Sequence, residues 1–234
     1  MTDRAASGSA IHGLYGITDP LLTPGDALLD ACAVALSAGL RLLQYRNKTA
    51  DTATRLRQAL ALQSLCRHHG ATLLINDDAA LAAQCGAAGV HIGQQDGAIA
   101  DARTRLGPQA IIGVTCHSDL ALAQAAVAEG ADYVAFGRFF ASRTKPAAPG
   151  ADIQILRQAR QCLPVPVVAI GGVNPDNAAQ LIDAGAHAVA AIHSLFGHSL
   201  FGHSVPGSAP FDARAITATV QQFNQLFSGP ARPI

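Results

Sequence analysis

DTATRLRQALALQSLCRHHGATLLINDD, at residues 51–78, holds a helix followed by a buried strand. Asp51 is a good N-cap, and leucines recur at helical spacing as far as His69. Gly70 suits the end of a helix, and residues 71–75 form a continuous apolar run. Runs of this kind are typical of parallel strands that are covered on both faces, so this stretch predicts one helix and the parallel strand that follows it.

The same unit recurs along the whole chain, because glycines close further helical segments and a short apolar run follows each closure. Helices are expected to start near residues 25, 51, 79, 117, 152 and 174. The expected strands are residues 14–17, 40–43, 71–75, 89–92, 110–114, 133–136, 165–170 and 188–192. About eight alternations of strand and helix predict an α/β fold, a single (β/α)₈ TIM barrel. A doubly wound open sheet stays an alternative, although it would need fewer strands or a second domain.

The 234 residues suit one barrel domain with two short tails. We expect a flexible N-terminal tail at 1–10, the barrel at 11–228, and a C-terminal tail at 229–234. The sequence SLFGH at 194–198 is repeated at once, and the residues that follow are rich in turn formers. This predicts a loop insertion at 194–210, since surface loops tolerate added residues.

Composition excludes several classes of protein. Lys plus Arg and Asp plus Glu both number 16, so the formal net charge is zero and no basic surface favours nucleic acid or an anionic membrane. The five cysteines form no C-x-x-C pair, which is typical of reduced thiols. With no signal-like start and no apolar stretch of about 18 residues, we expect a cytoplasmic protein without a membrane partner. The oligomeric state is left open, a homo-oligomer included.

Polar residues directly after the second expected strand point to an anion site. In a barrel the active site lies at the carboxyl ends of the strands. Gln44, Arg46 and Lys48 alternate along the chain, so all three side chains fall on one face. They predict an anion clamp with an amide beside it.

Carboxylates follow the next two strands. Asp77 comes after the third strand and Asp96 after the fourth. Two such groups facing each other suit Mg²⁺, which prefers hard oxygen ligands and keeps several waters. Asp78, by contrast, is interpreted first as a helix N-cap.

A basic, hydroxyl-rich loop follows the sixth strand. Ser142, Thr144 and Lys145 offer two hydroxyls and an ammonium for an oxyanion, while a solvated loop is the plainer alternative. Lys145 and Lys48 are the only lysines in the chain, and both are expected on the same side of the barrel.

The last two strands end in backbone suited to a phosphate. Gly172 follows the seventh strand, and Ile192 and His193 end the eighth, where barrels commonly bind phosphate groups. An ordinary glycine turn is the alternative. Among the histidines, only His117 falls at a strand end where chemistry is expected, and nucleophilic catalysis by the adjacent Cys116 is not favoured.

Together these residues resemble the thiamine-phosphate synthase (thiamine-phosphate pyrophosphorylase) family between about Leu14 and Ile192. The motifs that carry the resemblance are Tyr-Gly-Ile-Thr-Asp at 15–19, Gln-x-Arg-x-Lys at 44–48, Ile-Asn-Asp at 75–77, Gly-Val-His-Ile-Gly-Gln-x-Asp at 89–96, Gly-Val-Thr at 113–115, Ser-x-Thr-Lys at 142–145 and Ala-Ile-Gly-Gly-Val at 169–173.

The resemblance implies an enzyme, a transferase of thiamine biosynthesis. It would condense 4-amino-2-methyl-5-pyrimidinylmethyl diphosphate with 4-methyl-5-(2-phosphoethyl)thiazole, or its 2-carboxy form, to give thiamine phosphate and diphosphate. The family mechanism is Mg²⁺-assisted and dissociative: the bond to diphosphate breaks first, and the thiazole nitrogen captures the resulting cation.

The resemblance also implies a role for each matched residue. Asp77 and Asp96 would bind Mg²⁺ and Gln44 the pyrimidine. Catalytic and diphosphate-binding roles fall to Arg46, Lys48, Thr115 and Lys145, with Asn76 as a further diphosphate ligand. Ser142, Thr144 and the backbones of Gly172, Ile192 and His193 would hold the thiazole phosphate. Ser142, Thr115 and His193 replace the commoner threonine, serine and serine of the family, which puts a side-chain contact from His193 in doubt.

Two other functions are weighed against this one. A thiazole tautomerase shares the barrel and the thiazole-phosphate site, and would use His117 as its acid and base, but it needs no diphosphate apparatus. A non-catalytic phosphate-ligand sensor on the same barrel is the second, because fold does not dictate function.

Overall fold

Eight parallel strands close into a barrel in the structure, a computed structural model that describes residues 10–141, 150–198 and 211–229. Each strand pairs with its two neighbours in chain order, and β8 pairs with β1. The predicted (β/α)₈ barrel is thus confirmed. The strands are β1 (Gly13–Ile17), β2 (Leu42–Tyr45), β3 (Thr72–Asn76), β4 (Gly89–Ile92), β5 (Ile111–Thr115), β6 (Tyr133–Phe136), β7 (Val167–Ile170) and β8 (Ala188–Ala191).

Helices alternate with these strands throughout the described residues. They are α1 (Ala27–Ser37), α2 (Thr52–His68), α3 (Ala79–Cys85), α4 (Ile99–Leu106), α5 (Leu120–Ala128), α6 (Gln154–Cys162), α7 (Pro175–Asp183), α8 (His193–Phe196) and α9 (Ala213–Ser228). Three start two or three residues later than expected. In α5 the reason is local: His117 has φ +50°, which no helix accepts, and Asp119 supplies the cap to Ala121 and Leu122.

The chain buries apolar side chains on both faces of the sheet. One core lies between the strands and the surrounding helices, and a second fills the inside of the barrel with residues such as Tyr15, Leu42, Leu74 and Val168. This arrangement explains why the strands are continuous apolar runs. Among the described residues, no helix is both long and apolar enough to span a bilayer.

The repeated SLFGH segment begins inside the fold. A loop was expected from residue 194, but Leu195 and Phe196 lie in α8 and are fully buried. Leu195 packs where β1 has Gly16, and α8 contacts α9. The prediction was therefore wrong for the first copy, because its apolar pair fills space beside the barrel. The second copy, 199–203, lies outside the described residues, and the domain bounds at 11–228 stay a prediction.

One ion pair fastens the amino ends of two strands to a helix. Arg103 of α4 contacts Asp132 at 2.6 Å and also donates to the carbonyls of Gly130 and Ala110, at 3.0 and 2.5 Å. The Asp132 carboxylate accepts from the backbone of Ile112 at 2.8 Å, and its side chain is only 8% exposed. Removing the guanidinium would leave a nearly buried charge without its partner.

Arg103→Ala should therefore lower the thermal unfolding midpoint by about 5–10 °C, the equivalent of roughly 2–3 kcal/mol for a chain of this size. Circular dichroism at neutral pH measures the change. Arg57→Ala is the matched control: that side chain is exposed on α2 and should shift the midpoint by less than about 2 °C. Equal shifts in the two variants would contradict the role given to the pair.

Candidate active site

Three of the predicted side chains lie at the end of β2 or just after it. Gln44 is 2% exposed and turns into the barrel, and Arg46 and Lys48 follow it at the mouth. Arg46 is held by the two residues that follow β1: its backbone N–H donates to Thr18 Oγ1 at 2.9 Å, and its guanidinium lies 3.5 Å from Asp19 Oδ2. The guanidinium is thus already oriented before any ligand arrives.

The third strand brings a carboxylate to that lysine. Lys48 Nζ lies 2.7 Å from Asp77 Oδ2, while Asn76 Nδ2 donates to the same oxygen at 2.5 Å and Gly93 N–H to Oδ1 at 3.2 Å. Burial opposes ionisation of Asp77, but the ammonium and these hydrogen bonds outweigh it, so the pKa of the carboxyl lies below its usual value. Asp77 is therefore a stable anion at neutral pH, held at the unusual φ of +61°.

Asp96 faces the same small space from the fourth strand. A Cβ added to Gly93 would collide with Asp96 Oδ2 and would stand 3.8 Å from Asp77 Oδ1. The two carboxylates that the sequence predicts as partners are thus brought together around a glycine that leaves room between them. Among the described residues, no group of three or more His, Cys, Asp or Glu could hold a metal. A pair of carboxylates suits Mg²⁺, which takes its other oxygens from water and phosphate.

Asp78, the next residue in the chain, has a structural role. Its side chain accepts from Leu81 N–H at 2.8 Å as the N-cap of α3, and its other oxygen lies 2.8 Å from Arg55 of α2. The N-cap interpretation is confirmed. These contacts hold the turn that carries Asp77.

A groove of about 870 Å³ runs outward from these groups between α3 and α4. Its walls carry both signs of charge, with four carboxylates and three cationic side chains. The charged and amide residues lining it are Asn47, Lys48, Arg55, Asn76, Asp77, Asp78, Asp96, Asp101 and Arg105. The groove has room for an extended, negatively charged ligand together with a cation.

Thr115 lies at the end of β5 and is tied to two residues of β4 and its loop. Its Oγ1 is 2.8 Å from His91 Nε2, and its carbonyl accepts from Gln94 at 2.5 Å. His91, for which the sequence predicts no role, turns into the barrel and contacts Tyr133 Oη through Nδ1 at 2.8 Å. A polar row therefore runs below the mouth.

The ends of β7 and β8 are fastened to each other. Gly172 has φ +66°, and its carbonyl accepts from Asn177 at 3.0 Å. Ser194 of α8 donates to the carbonyl of Val173 at 2.6 Å, so the loops that carry Gly172 and His193 meet. Both loops lie on the same side of the barrel as Asp77, as predicted from strand order.

Three of the predicted residues are not placed. Ser142, Thr144 and Lys145 lie outside the described residues. Ala141, just before that segment, contacts Gly172, and the backbone of Arg138 accepts from Ala151 N–H at 2.7 Å. The chain therefore leaves and re-enters the described structure beside the β7 loop.

His117 and Cys116 follow Thr115 but differ in environment. The His117 side chain is exposed at the mouth, whereas Cys116 is fully buried, and burial raises the pKa of its thiol to about 12. A thiol in this state is a poor nucleophile, which supports the interpretation against cysteine catalysis.

Sequence reasoning missed several polar contributors. Thr18 and Asp19, which contact Arg46, belong to the motif at 15–19, but no role was predicted for either of them. Tyr15 and Tyr133 lie in expected strands, but no role was predicted for either. Their contact forms across the inside of the barrel, between the non-adjacent strands β1 and β6, and so depends on closure of the sheet.

Known proteins match this arrangement over most of the chain. The sequence profile of the thiamine monophosphate synthase family matches residues 14–195. The chain is 54% identical over 217 residues to thiamine-phosphate synthase of Alcanivorax borkumensis, covering 93% of this chain and 94% of the relative. It is 54% identical over 186 residues to thiamine-phosphate synthase of Saccharophagus degradans, covering 79% and 86%. A solved thiamine phosphate pyrophosphorylase from Pyrococcus furiosus superposes with a TM-score of 0.78 at 26% identity, covering 95% of this chain and 97% of that one. The chain therefore belongs to the thiamine monophosphate synthase family.

Proposed function

We propose that the chain is a thiamine-phosphate synthase. It would join 4-amino-2-methyl-5-pyrimidinylmethyl diphosphate to 4-methyl-5-(2-phosphoethyl)thiazole, or to its 2-carboxy form, and release diphosphate. The observation that carries the proposal is the charged cluster of Lys48, Asp77 and Asp96, which the barrel assembles at the same end as Arg46. A tautomerase has no use for such a cluster, whereas a leaving diphosphate needs it.

The reaction asks the protein for charge and alignment. The C–O bond between the methylene carbon and diphosphate breaks, and its electron pair leaves with the diphosphate oxygen. The thiazole nitrogen then gives its lone pair to the methylene cation and forms the C–N bond. Since no proton is removed in these steps, the site needs neither a strong base nor a protein nucleophile.

Arg46 and Lys48 would neutralise the departing diphosphate. Asp19 already orients Arg46, so little reorganisation is needed when charge develops on the leaving group. The Lys48 side chain is 51% exposed and lies against Asp77. It has room to turn from that carboxylate to the diphosphate, and Thr115 would add a hydroxyl from β5.

Asp77 and Asp96 would hold a magnesium ion. The fit rests on the two carboxylates that share the space around Gly93, and on the lowered pKa that keeps Asp77 ionised. Magnesium, when bound, supplies positive charge to the phosphate oxygens. Asn76, which donates to Asp77, would fix the orientation of that carboxylate and contact the diphosphate.

The second phosphate belongs at the β7 and β8 loops. Gly172 lies in the loop after β7, where its missing side chain leaves room for the backbone of Phe140 and Ala141, and Ile192 and His193 form the turn from β8 into α8. Backbone N–H groups of these two loops would bind the phosphate. By family resemblance, Ser142 and Thr144 would also bind the thiazole phosphate, and Lys145 would bind the diphosphate.

Turnover tests the proposal directly. Purified protein with both substrates and Mg²⁺ should yield thiamine phosphate. The product is measured by oxidising it chemically to its fluorescent thiochrome form. Absence of product from authentic substrates would overturn the synthase proposal. Isomerisation of the thiazole substrate alone, lost in His117→Ala, would favour the tautomerase, and binding without any turnover would favour the sensor.

Asp77→Asn and Asp96→Asn should each lower kcat by about 100-fold, because the isosteric amide keeps the shape and removes the anion that attracts magnesium. Raising the Mg²⁺ concentration should restore part of the loss. Asp101→Asn is the matched control: this residue is exposed in the first turn of α4 at the outer part of the same groove. It should stay within about two-fold of the unaltered protein. Unchanged turnover in Asp77→Asn or Asp96→Asn would remove the metal site from the proposal.

Arg46→Ala and Lys48→Ala should raise the barrier of the chemical step by about 3 kcal/mol, a loss of roughly 100-fold in kcat. Single-turnover kinetics measure this step apart from product release. Arg67→Ala, exposed at the opposite end of the barrel, should leave the rate unchanged. A change confined to the Michaelis constant for the thiazole phosphate would place the altered residue at the other phosphate.

A further inference from the structure

Five polar side chains form one continuous row of hydrogen bonds across the inside of the barrel. Gln44 Nε2 donates to Tyr15 Oη at 2.7 Å, and Tyr15 Oη lies 2.9 Å from Tyr133 Oη. Tyr133 Oη lies 2.8 Å from His91 Nδ1, and His91 Nε2 lies 2.8 Å from Thr115 Oγ1. The row joins β2, β1, β6, β4 and β5, in that order.

The row is buried among apolar side chains. Gln44, Tyr15 and Tyr133 are at most 2% exposed, and His91 is 9% exposed. Barrel interiors are usually filled by branched apolar residues, so five linked polar groups need a reason beyond packing. Gly113 provides the room: it lies level with both His91 and Tyr133, and a Cβ there would collide with the Tyr133 ring.

One direction of donation satisfies all five groups in this row. The amide nitrogen of Gln44 only donates, so Tyr15 Oη accepts from it, and in this direction the Tyr15 hydrogen goes to Tyr133 Oη. Tyr133 in turn donates to His91 Nδ1. The ring then carries its proton on Nε2 and donates to Thr115 Oγ1, which leaves the Thr115 hydrogen for another acceptor. Burial raises the pKa of both phenols, so both keep the hydrogens that the row requires.

We propose that Tyr15, Tyr133 and His91 are positioning residues that couple the amide of Gln44 to the hydroxyl of Thr115. With its nitrogen bound to Tyr15, Gln44 presents its carbonyl oxygen, which accepts from the amino group of the pyrimidine. At the other end, Thr115 directs its hydrogen to a diphosphate oxygen. The identity of these two ligands rests on the proposed function, whereas the direction of the row does not.

The coupling follows from the geometry. If the row reversed, Gln44 would turn its oxygen toward Tyr15 and Thr115 would donate inward to His91. Both ends of the pyrimidine diphosphate would then face the wrong partner at once. The hydroxyl of Tyr133 sets the tautomer of His91. It thereby also sets the direction of the hydrogen bond between His91 and Thr115.

Nitrogen-15 NMR of histidine-labelled protein tests the direction without any substrate. His91, located by its loss in His91→Gln, should show the Nε2–H tautomer, and Tyr133→Phe should convert it to a mixture of tautomers. Tyr15→Phe should leave the tautomer intact, since Tyr133 still donates to Nδ1. His187 is an internal control, because its Nδ1 accepts from Val167 N–H at 3.0 Å and should not change. A protonated Nδ1 in the unaltered protein, or a tautomer indifferent to Tyr133→Phe, would overturn the proposal.

Steady-state kinetics test the coupling. Tyr15→Phe and Tyr133→Phe should each lower kcat/KM for the pyrimidine diphosphate by about ten-fold and leave KM for the thiazole phosphate within about two-fold. Tyr45→Phe is the matched control, since that buried tyrosine lies on the outer face of β2 and donates to Gln58 at 2.7 Å. Inactive unaltered protein would count against the proposed function alone. An active protein whose kinetics are the same in the Tyr15, Tyr133 and Tyr45 variants would overturn the coupling.

Discussion

Closure of eight parallel strands is the constraint on which this molecule depends. Because every strand runs the same way and β8 pairs with β1, the carboxyl ends of all eight meet at one rim. Lys48, Asp77 and Asp96 come from three successive strand ends, yet the closed sheet sets them around one space beside Gly93. Placing two carboxylates and an ammonium so close together would destabilise the protein if these charges were neither paired with one another nor bound to a ligand. In the free protein, the ion pair between Lys48 and Asp77 offsets this destabilisation. The same cluster can then bind a cation and an anionic ligand.

Much of the fold follows from local sequence. Residues 51–78 show a capped helix, its terminating glycine and a strand buried on both faces, and the structure repeats that unit around the barrel. Prediction failed where distant packing decides the outcome. Leu195 and Phe196 look like part of a duplicated loop, but the space beside Gly16 draws them into α8. The late start of α5 had a local cause in the positive φ of His117, which the sequence does not display.

The candidate site, like the fold, could be predicted from the sequence only in part. Strand-end position was enough to predict that Arg46, Lys48, Asp77 and Asp96 gather at one rim, because barrel topology alone brings them there. The contact between Asp19 and Arg46 was not predictable, since it depends on the register of β1 against β2. The interior row was hidden for a related reason: alternation shows that Tyr15 and Tyr133 lie on a definite face of their strands, but not that this face is the inside of the barrel. The proposed substrates rest on family resemblance, and the residues explain why a diphosphate would suit this rim.

The central claim is that the Lys48, Asp77 and Asp96 cluster binds diphosphate and magnesium together. Calorimetric titration of the protein with inorganic diphosphate, in the presence and absence of Mg²⁺, measures this most directly. If the cluster binds both, Mg²⁺ should tighten diphosphate binding by at least about ten-fold, equivalent to ~1.4 kcal/mol. The same affinity with and without Mg²⁺ would contradict it.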